Sequence, residues 1–385
     1  MNYNKNKNQR RSSGKRPAST LNPELLVKKS IQTTVKPIVQ TRDFTQIDLH
    51  KTLSKNIADK GYFTTTEIQD KSMDDLLQGK NLIGIAATGT GKTGAFLIPM
   101  IQQMLNDEHT SALVVVPTRE LAQQVLEEFK ALSKGMKLWS ACFIGGTSVS
   151  KDMYQARKQL RLVVGTPGRL NDLIKRNALK INRMSTLVLD EFDRMLDMGF
   201  IQDIQKLVSE MHNRKQTMLF SATVDKSQEK LINQMVYKPI RVAVSSGTKS
   251  SDNVDQDIIR VERNENKFDV LFDLLSEPSF EKVLLFAETK RTVDKLSKQL
   301  TKSGIKSDVI HGNKSQNYRT KAIAQFKSGK TKILVATDVA ARGIDIKGIT
   351  HVINYQLPQT MDSYIHRIGR TGRAETKGMA YTFVN

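Results

Sequence analysis

Residues Ala86–Thr93 (AATGTGKT) combine glycine, lysine and threonine at a spacing that suits phosphate binding. They follow an apolar run, Asn81–Ala86, and precede a helix-like stretch, which is the context that a P-loop requires. The backbone N–H groups and helix N-terminus of such a loop surround phosphates. Lys92 would neutralise the β- and γ-phosphates, and the Thr93 hydroxyl would coordinate Mg²⁺. Ala86 stands where the general pattern has its first glycine. The predicted phosphate-binding residues are Ala86, Ala87, Thr88, Gly89, Thr90, Gly91, Lys92 and Thr93.

Two adjacent carboxylates, Asp190 and Glu191, follow another apolar run, Thr186–Leu189. A carboxylate at the end of a parallel strand beside a P-loop is well placed to hold Mg²⁺ through water, and Asp190 is predicted to do so. Glu191 can then orient and deprotonate the attacking water. Taken alone, the two acids could equally begin a helix, because carboxylates stabilise helix N-termini. Combined with the P-loop, they indicate nucleotide hydrolysis.

The charge of the chain indicates a polyanionic partner. Its 385 residues include 60 Lys and Arg against 39 Asp and Glu, a net charge of +21. Nucleic acid is the commonest such partner, and an anionic membrane surface is the alternative. No apolar run approaches the roughly 20 residues that cross a bilayer, which excludes an integral membrane protein. The single cysteine, Cys142, excludes an internal disulfide and a cysteine-based zinc site, so a cytoplasmic setting is expected.

Short apolar runs alternate with helix-like stretches from Phe44 onward, and this rhythm predicts α/β domains with parallel sheets covered by helices. A polar stretch, Ser245–Asn253, interrupts the alternation. Residues 1–42 carry ten basic residues and one acid with little apolar periodicity, so we expect a disordered basic arm there. The predicted order is this arm (1–42), a first domain (43–244), a linker (245–256) and a second domain (257–385).

The predicted strands fall into two sets separated by the linker. The first set is Asn81–Ala86, Leu113–Val116, Ser140–Ile144, Leu162–Val164, Thr186–Leu189 and Thr217–Phe220. The second set is Ile258–Val261, Val283–Phe286, Asp308–Ile310, Ile333–Ala336, His351–Asn354 and Met379–Val384. Helical patterns between the strands include Glu120–Leu132 and Gly199–His212.

The phosphate loop and the acidic motif Asp190–Asp193, together with further motifs in matching order, resemble those of the DEAD-box RNA helicases. The resemblance covers nearly all of residues 44–384. It implies two tandem RecA-like parallel-sheet domains, joined by a flexible linker, that close around ATP·Mg²⁺ and a single RNA strand. Phe192 stands where the family's Asp-Glu-Ala-Asp motif has Ala, while the three carboxylates remain.

The resemblance also implies which residues bind the nucleotide. Gln69 would hydrogen-bond adenine with Phe44 stacked nearby, and Asp345, accompanied by Gly343, would hold the ribose. Arg370 and Arg373 would act as arginine fingers, since guanidinium groups stabilise the charge of a loose phosphoryl-transfer transition state. The implied catalytic residues are Lys92, Asp190, Glu191, Arg370 and Arg373, with Thr93 and Asp190 at the metal.

Several turns that follow predicted strands resemble the family's RNA-binding motifs. Thr hydroxyls, helix N-terminal amides and Arg suit phosphate and sugar contacts that do not select bases. The implied RNA-binding residues are Pro117, Thr118, Arg119, Gly145, Gly146, Thr166, Pro167, Gly168, Arg169, Gly312 and Thr337. The residues implied to couple nucleotide state to RNA are Asp193, Ser221, Thr223 and His366.

The predicted activity is RNA-stimulated ATP hydrolysis that locally unwinds or remodels short RNA duplexes or RNA–protein complexes, with ATP and Mg²⁺ as cofactors. RNA is the predicted partner, bound through its backbone, and proteins of ribosome assembly or RNA decay are further candidates; no membrane is expected. The alternatives are a motor on duplex DNA, an ATP-gated RNA clamp that hardly unwinds, and a degenerate RNA-binding protein. The intact Lys92, Glu191 and Arg370 argue against the last, whereas the sequence does not separate a helicase from a clamp.

Overall fold

A computed structural model describes residues 19, 21–30, 42–87, 89–244, 253–341, 346, 348–372 and 377–384. It contains two parallel sheets with helices on both faces, which confirms the predicted α/β fold with two RecA-like domains. Most central strands are buried along their whole length because helices cover both faces of each sheet. Within the described residues, none of the helices has the length and apolarity needed to cross a membrane.

The first sheet has seven strands in the order β3-β4-β2-β5-β6-β1-β7. Its strands are β1 Leu82–Ile85, β2 Ala112–Val115, β3 Ser140–Phe143, β4 Leu162–Gly165, β5 Thr186–Leu189, β6 Gln216–Ser221 and β7 Ile240–Ala243. The six predicted strands are all present, with ends that shift by at most one residue. The sequence analysis missed β7, an edge strand in which only Val242 is buried. A half-exposed strand of four residues carries too little apolar pattern to be recognised.

Helices lead the chain from the carboxyl end of one strand back to the amino end of the next. They are α1 Lys51–Asp59, α2 Glu67–Leu77, α3 Lys92–Asn106, α4 Arg119–Leu132, α5 Val149–Ala156, α6 Pro167–Lys175, α7 Phe192–Asp197, α8 Ile201–Glu210 and α9 Lys226–Met235. The predicted helix 199–212 is observed as α8, and 120–132 as α4. Thr118 begins α4 by accepting a hydrogen bond from the N–H of Leu121, a side-chain cap that fixes where this helix starts.

The second sheet has six parallel strands in the order β10-β11-β9-β12-β13-β8. Its strands are β8 Val254–Arg260, β9 Val283–Phe286, β10 Ser307–Ile310, β11 Ile333–Ala336, β12 His351–Asn354 and β13 Gly378–Val384. Its helices are α10 Lys267–Ser276, α11 Lys290–Lys302, α12 Gln316–Lys327, α13 Asp338–Ala341 and α14 Met361–Ile368. Strand β8 begins at Val254, so the last three residues of the predicted linker 245–256 belong to the sheet. Residues 245–252 lie outside the described residues.

Part of the predicted disordered arm is folded against the second domain. Residues Pro23–Leu26 form a short 3-10 helix, and Leu26 is buried in the core of that domain. Lys28 then pairs with Gln256 on the edge strand β8, with backbone hydrogen bonds of 2.9 and 2.7 Å in both directions. The Tyr364 hydroxyl of α14 donates to the Gln256 side chain at 3.0 Å. The expectation of disorder throughout 1–42 is therefore wrong for residues 21–30, because one buried leucine and an open sheet edge anchor them.

We predict that Leu26→Ala destabilises the second domain. The substitution removes methyl groups from a side chain that is 1% exposed, and such losses typically cost about 2–3 kcal/mol. Leu25→Ala is the matched control because Leu25 is 73% exposed. Urea unfolding followed by circular dichroism should show a lower free energy of unfolding for the first variant and almost no change for the second. Equal curves for the two variants would show that Leu26 does not anchor the segment.

Candidate functional site

The phosphate loop joins β1 to α3 and is closely packed against the start of α2. Gly91 has a φ of 93°, in the left-handed region, and a Cβ there would lie 2.6 Å from Thr66 Oγ1 and 2.8 Å from Gln69 Nε2. Lys92 is 7% exposed, and its ammonium group donates to the Ala86 carbonyl at 2.9 Å. This hydrogen bond holds the Lys92 side chain across the inside of the phosphate loop. Thr88 lies outside the described residues.

Gln69 connects the loop to α2 through both ends of its amide. Its Oε1 accepts from the N–H of Thr66 at 3.0 Å, and its Nε2 donates to the Gly91 carbonyl at 3.0 Å. Gln69 also lines the cavity beside the loop. Its contact with adenine stays a prediction. Phe44 lies in the hydrophobic core at 5% exposure, and the aromatic residue in the wall of the cavity is Tyr62. Phe44 is not among the lining residues of this cavity, and its stacking near the base stays a prediction.

The two predicted catalytic carboxylates lie at the end of β5, facing the lysine. Burial and the neighbouring Glu191 raise the pKa of Asp190 to about 6, while the charge of Lys92 opposes this rise. Glu191 has a φ of 53°, a conformation that costs a non-glycine residue on the order of 1 kcal/mol and turns its side chain away from the strand direction. Glu191 Oε2 lies 3.5 Å from Arg194 Nη1, and neither atom has a hydrogen-bond partner among the described residues. The two charges therefore form a buried ion pair without a hydrogen bond.

Ser221, at the end of β6, connects the acidic motif to the phosphate loop. Its hydroxyl accepts from the N–H of Asp193 at 3.3 Å and donates to the Thr223 carbonyl at 2.5 Å. Its own carbonyl accepts from the N–H of Ala86 at 3.0 Å. The structure thus brings the predicted coupling residues Asp193, Ser221 and Thr223 together, through backbone groups rather than through the Asp193 carboxylate.

A cavity of about 530 Å³ lies between the two domains beside these groups. The first domain contributes Lys92, Asp190 and Glu191 to its wall, and the second contributes Lys327 and Arg370. Arg370 is 5% exposed, so its guanidinium is almost wholly withdrawn from water. His366 lines a smaller pocket next to Arg370. Three predicted site residues lie outside the described residues, namely Gly343, Asp345 and Arg373, and so does the neighbouring Arg342.

Arg367 lies in the last turn of α14, and Arg370 follows two residues after the end of that helix. Its Nε and Nη2 bind the two carboxylate oxygens of Asp338 at 2.5 and 2.6 Å, and its Nη1 donates to Asn354 at 3.1 Å. The guanidinium also lies 5.2 Å from the ring centre of Phe286. Such a paired and stacked arginine orients α14. Sequence reasoning gave Arg367 no role, because a run of basic residues does not reveal which one is paired.

The predicted RNA-binding turns of the first domain follow three adjacent strands, β3, β4 and β2. Arg119 lies over Gly145 and Gly146, where added Cβ atoms would come within 2.9 and 2.4 Å of its guanidinium. The two glycines therefore make room for that side chain. Arg169 is paired with the buried Asp152 at 2.6 Å, which leaves it less free for phosphate than expected. Pro117, Thr166, Pro167 and Gly168 share this edge, and nothing approaches Gly168 within 4 Å of an added Cβ.

The second domain presents its predicted RNA residues on the same kind of edge. Gly312 follows β10 and Thr337 follows β11, and these strands are neighbours. A Cβ on Gly312 would lie 3.5 Å from Lys290 Cε, so the backbone and this cationic side chain are close there. Both residues lie at carboxyl ends of strands, as predicted, while their contact with RNA stays a prediction.

One buried ion pair crosses between the domains at this edge, and the sequence analysis did not identify it. Arg319 Nη2 lies 2.8 Å from Glu120 Oε1, with side-chain exposures of 8% and 3%. Gln316 donates to the same oxygen at 3.4 Å. The neighbouring Arg119 has a lowered pKa, first because it is buried and second because Arg319 is near. The pair therefore holds the start of α4 in the first domain next to α12 in the second.

Comparisons with known proteins agree with this geometry. The family described as DEAD/DEAH box helicase matches residues 66–231, and the helicase conserved C-terminal domain matches residues 266–375. The chain is 43% identical over 342 residues to the ATP-dependent RNA helicase CshA of Listeria monocytogenes, covering 89% of this chain and 66% of that protein. It is 41% identical to CshA of Limosilactobacillus reuteri, covering 89% of this chain and 69% of that protein. The chain belongs to the DEAD-box helicase family, and it spans about two thirds of the length of these curated relatives.

A solved structure resembles both domains at once. Dbp5 of S. cerevisiae, bound to RNA and ADP BeF3, has 30% sequence identity and a TM-score of 0.79, covering 90% of each chain. Since the match extends over both domains, their relative placement here is similar to that in the RNA-bound protein.

We predict that Phe192→Ala destabilises the first domain, although alanine is what the family motif has at this position. Phe192 is fully buried in the core under the sheet, and truncating a buried Phe costs about 3–5 kcal/mol. Phe63→Ala is the matched control because Phe63 is 69% exposed. Urea unfolding should separate the two variants clearly. Comparable stability would mean that the surrounding core closes the space without cost.

We predict that Glu120→Gln weakens RNA binding more than it slows catalysis. The substitution leaves Arg319 buried without its counter-charge when the domains are together, which disfavours that arrangement. The RNA concentration for half-maximal ATPase should rise by about tenfold or more, with a much smaller change in kcat at saturating RNA. Glu281→Gln, an exposed acid of the second domain, is the control and should leave both parameters unchanged. A half-maximal concentration that does not move would show that the pair is irrelevant to RNA binding.

Proposed function

We propose that this protein is an ATP-dependent RNA helicase: it hydrolyses ATP in response to RNA and locally unwinds or remodels short RNA duplexes or RNA–protein complexes. The observation that carries the proposal is the cavity between the domains. It brings Lys92, Asp190 and Glu191 of one domain to Arg370 of the other, directly beside two edges suited to RNA. The similarity to the CshA helicases and to RNA-bound Dbp5 supports the same function.

The residues present suit ATP with Mg²⁺. Thr93 and Asp190 offer oxygen ligands, and an Mg²⁺ ion bound there would neutralise phosphate charge during hydrolysis. Within the described residues, no three His, Cys, Asp or Glu side chains are grouped to hold an ion by themselves. Such a site suits Mg²⁺, which commonly shares its ligands between one or two carboxylates, phosphates and water.

In the proposed reaction, Lys92 and the loop amides bind the β- and γ-phosphates, and Glu191 takes a proton from the attacking water. Arg370, together with Arg373, stabilises the charge on the transferred phosphoryl group. Gln69 and Tyr62 border the base, and Gly343 and Asp345 hold the ribose. Because Arg370 comes from the second domain, hydrolysis requires the two domains to be in contact, and the Glu120–Arg319 pair favours that contact.

RNA is proposed to bind across both edges through its backbone. Arg119, Gly145, Gly146 and Gly312 line the path, and the buried Arg319 Nε and Gln316 Oε1 have no hydrogen-bond partner among the described residues. Buried polar atoms without a partner are costly, so a polar ligand at this edge would compensate them. The proposed setting is cytoplasmic, with ribosome-assembly or RNA-decay proteins as candidate partners.

The test of the proposed chemistry is Glu191→Gln. The amide cannot accept the proton from water, so RNA-stimulated ATPase should fall by about 100-fold or more while ATP binding remains. Asp197→Asn, an exposed acid on the same helix, is the control and should retain the parental rate. Turnover of Glu191→Gln at the parental rate would overturn the assignment of the base.

A second measurement tests the polymer. ATPase should be stimulated by single-stranded RNA and far less by DNA of the same sequence, because 2′-hydroxyl groups distinguish the two. Displacement of a short RNA duplex in the presence of ATP would then separate a helicase from a clamp. Equal stimulation by DNA would instead support a DNA motor.

A further inference from the structure

A second large cavity opens at the opposite edge of the first sheet. It has a volume of about 750 Å³, and its lining includes Ser111 and Arg161, which immediately precede β2 and β4, and Met184, two residues before β5. The nucleotide and the predicted RNA path lie at the carboxyl ends of the same strands. Four-residue strands separate the two edges by roughly 13 Å before the loops are counted, so this cavity is a distinct site.

The lining of this cavity is strongly cationic. It includes Arg157, Lys158, Arg161, Lys180 and Arg183, against the single acid Glu108. Basic residues next to the C-terminus of a helix stabilise its dipole, which accounts for Arg157 and Lys158 after α5. Lys180 and Arg183 lie well beyond the end of α6 and are exposed, so they have no such role. The charge there exceeds what the fold requires.

Two exposed aromatic residues contact residues that line the cavity. Trp139 is 67% exposed, and its carbonyl accepts from the N–H of Arg161 at 2.8 Å. Tyr154 is 69% exposed, and the Lys158 ammonium lies 5.0 Å from the centre of its ring. A single exposed aromatic needs no explanation. Two of them in contact with residues of one cationic cavity match the way in which proteins bind single-stranded nucleic acid, by stacking bases and pairing phosphates.

We propose that this face, formed by Trp139, Tyr154 and the cationic cavity, is a second binding site for single-stranded RNA. Bases stack on Trp139 and Tyr154, while Arg157, Lys158, Lys180 and Arg183 bind backbone phosphates. The choice of RNA as the ligand rests on the proposed function. An RNA strand that extends beyond the cleft between the domains then binds a second time, at the amino ends of the strands of the first sheet. Long RNA substrates are therefore favoured over short ones.

The first experiment uses Trp139 as its own reporter, because it is the only tryptophan in the chain. A long oligouridylate should quench its fluorescence and shift its emission maximum, since a stacked base removes the indole from water. A strand of about eight nucleotides that fills only the cleft should stimulate ATPase without this signal. Inorganic polyphosphate carries the charge but no bases. If polyphosphate reproduces the RNA signal, or if saturating long RNA leaves the emission unchanged, the proposal is overturned.

The second experiment reverses charges in matched pairs. Lys180→Glu/Arg183→Glu should weaken binding of the long strand by about tenfold or more and reduce the salt dependence of binding. Lys298→Glu/Lys302→Glu makes the same charge change on exposed positions of α11 in the second domain and should bind like the parent. Both variants should keep the ATPase stimulated by the short strand. If the two variants bind the long strand equally, the second site does not exist; if the parent shows no RNA-stimulated ATPase, it is the proposed function that fails.

Discussion

Every strand paired within the two sheets runs parallel to its neighbour, so all carboxyl ends of a sheet meet at one edge. In the first sheet, the order of the strands decides which loops lie side by side at this end. Strands β5, β6 and β1 end in the acidic motif, Ser221 and the phosphate loop, whereas β3, β4 and β2 end in the turns suited to RNA. Two sites are therefore adjacent on one scaffold, and the boundary between them is the pairing of β2 with β5. Short backbone contacts at this edge, such as Ser221 with Ala86 and Asp193, link loops that are distant in sequence.

The charged groups around the cavity come from both domains, so they meet only when the domains are in contact. The first domain holds the carboxylates and Lys92, and the second holds Arg370, nearly all of them buried. Burial strengthens the interaction of each charge with a phosphate and also makes an unmatched charge costly. Arg367 avoids that cost through Asp338 and Asn354, and in doing so it orients the helix that leads to Arg370. Arg367 therefore has a positioning role, while the proposed contact with phosphate belongs to the neighbouring Arg370.

The sequence was sufficient for the fold and for the loops that bring Lys92, Asp190 and Glu191 to one cavity, because apolar runs and glycine-rich turns are local signals. It failed where the outcome depends on tertiary partners. Edge strand β7 is too exposed to show a pattern, and Leu26 finds its place only on a sheet formed by residues more than 200 positions away. The Glu120–Arg319 pair and the Arg169–Asp152 pair depend on three-dimensional proximity that no spacing reveals.

The folded segment 21–30 gives the two domains a second covalent connection. The chain passes between them once through residues 31–41 and again through residues 245–252. From Ser30 to Arg42 a fully extended chain reaches at most about 43 Å, and from Val244 to Asn253 about 32 Å. As long as Leu26 remains seated, the domains are joined at two places instead of one. The distance between the two domains then has an upper limit. Two linkers also restrict the relative rotation of the domains more than a single linker would.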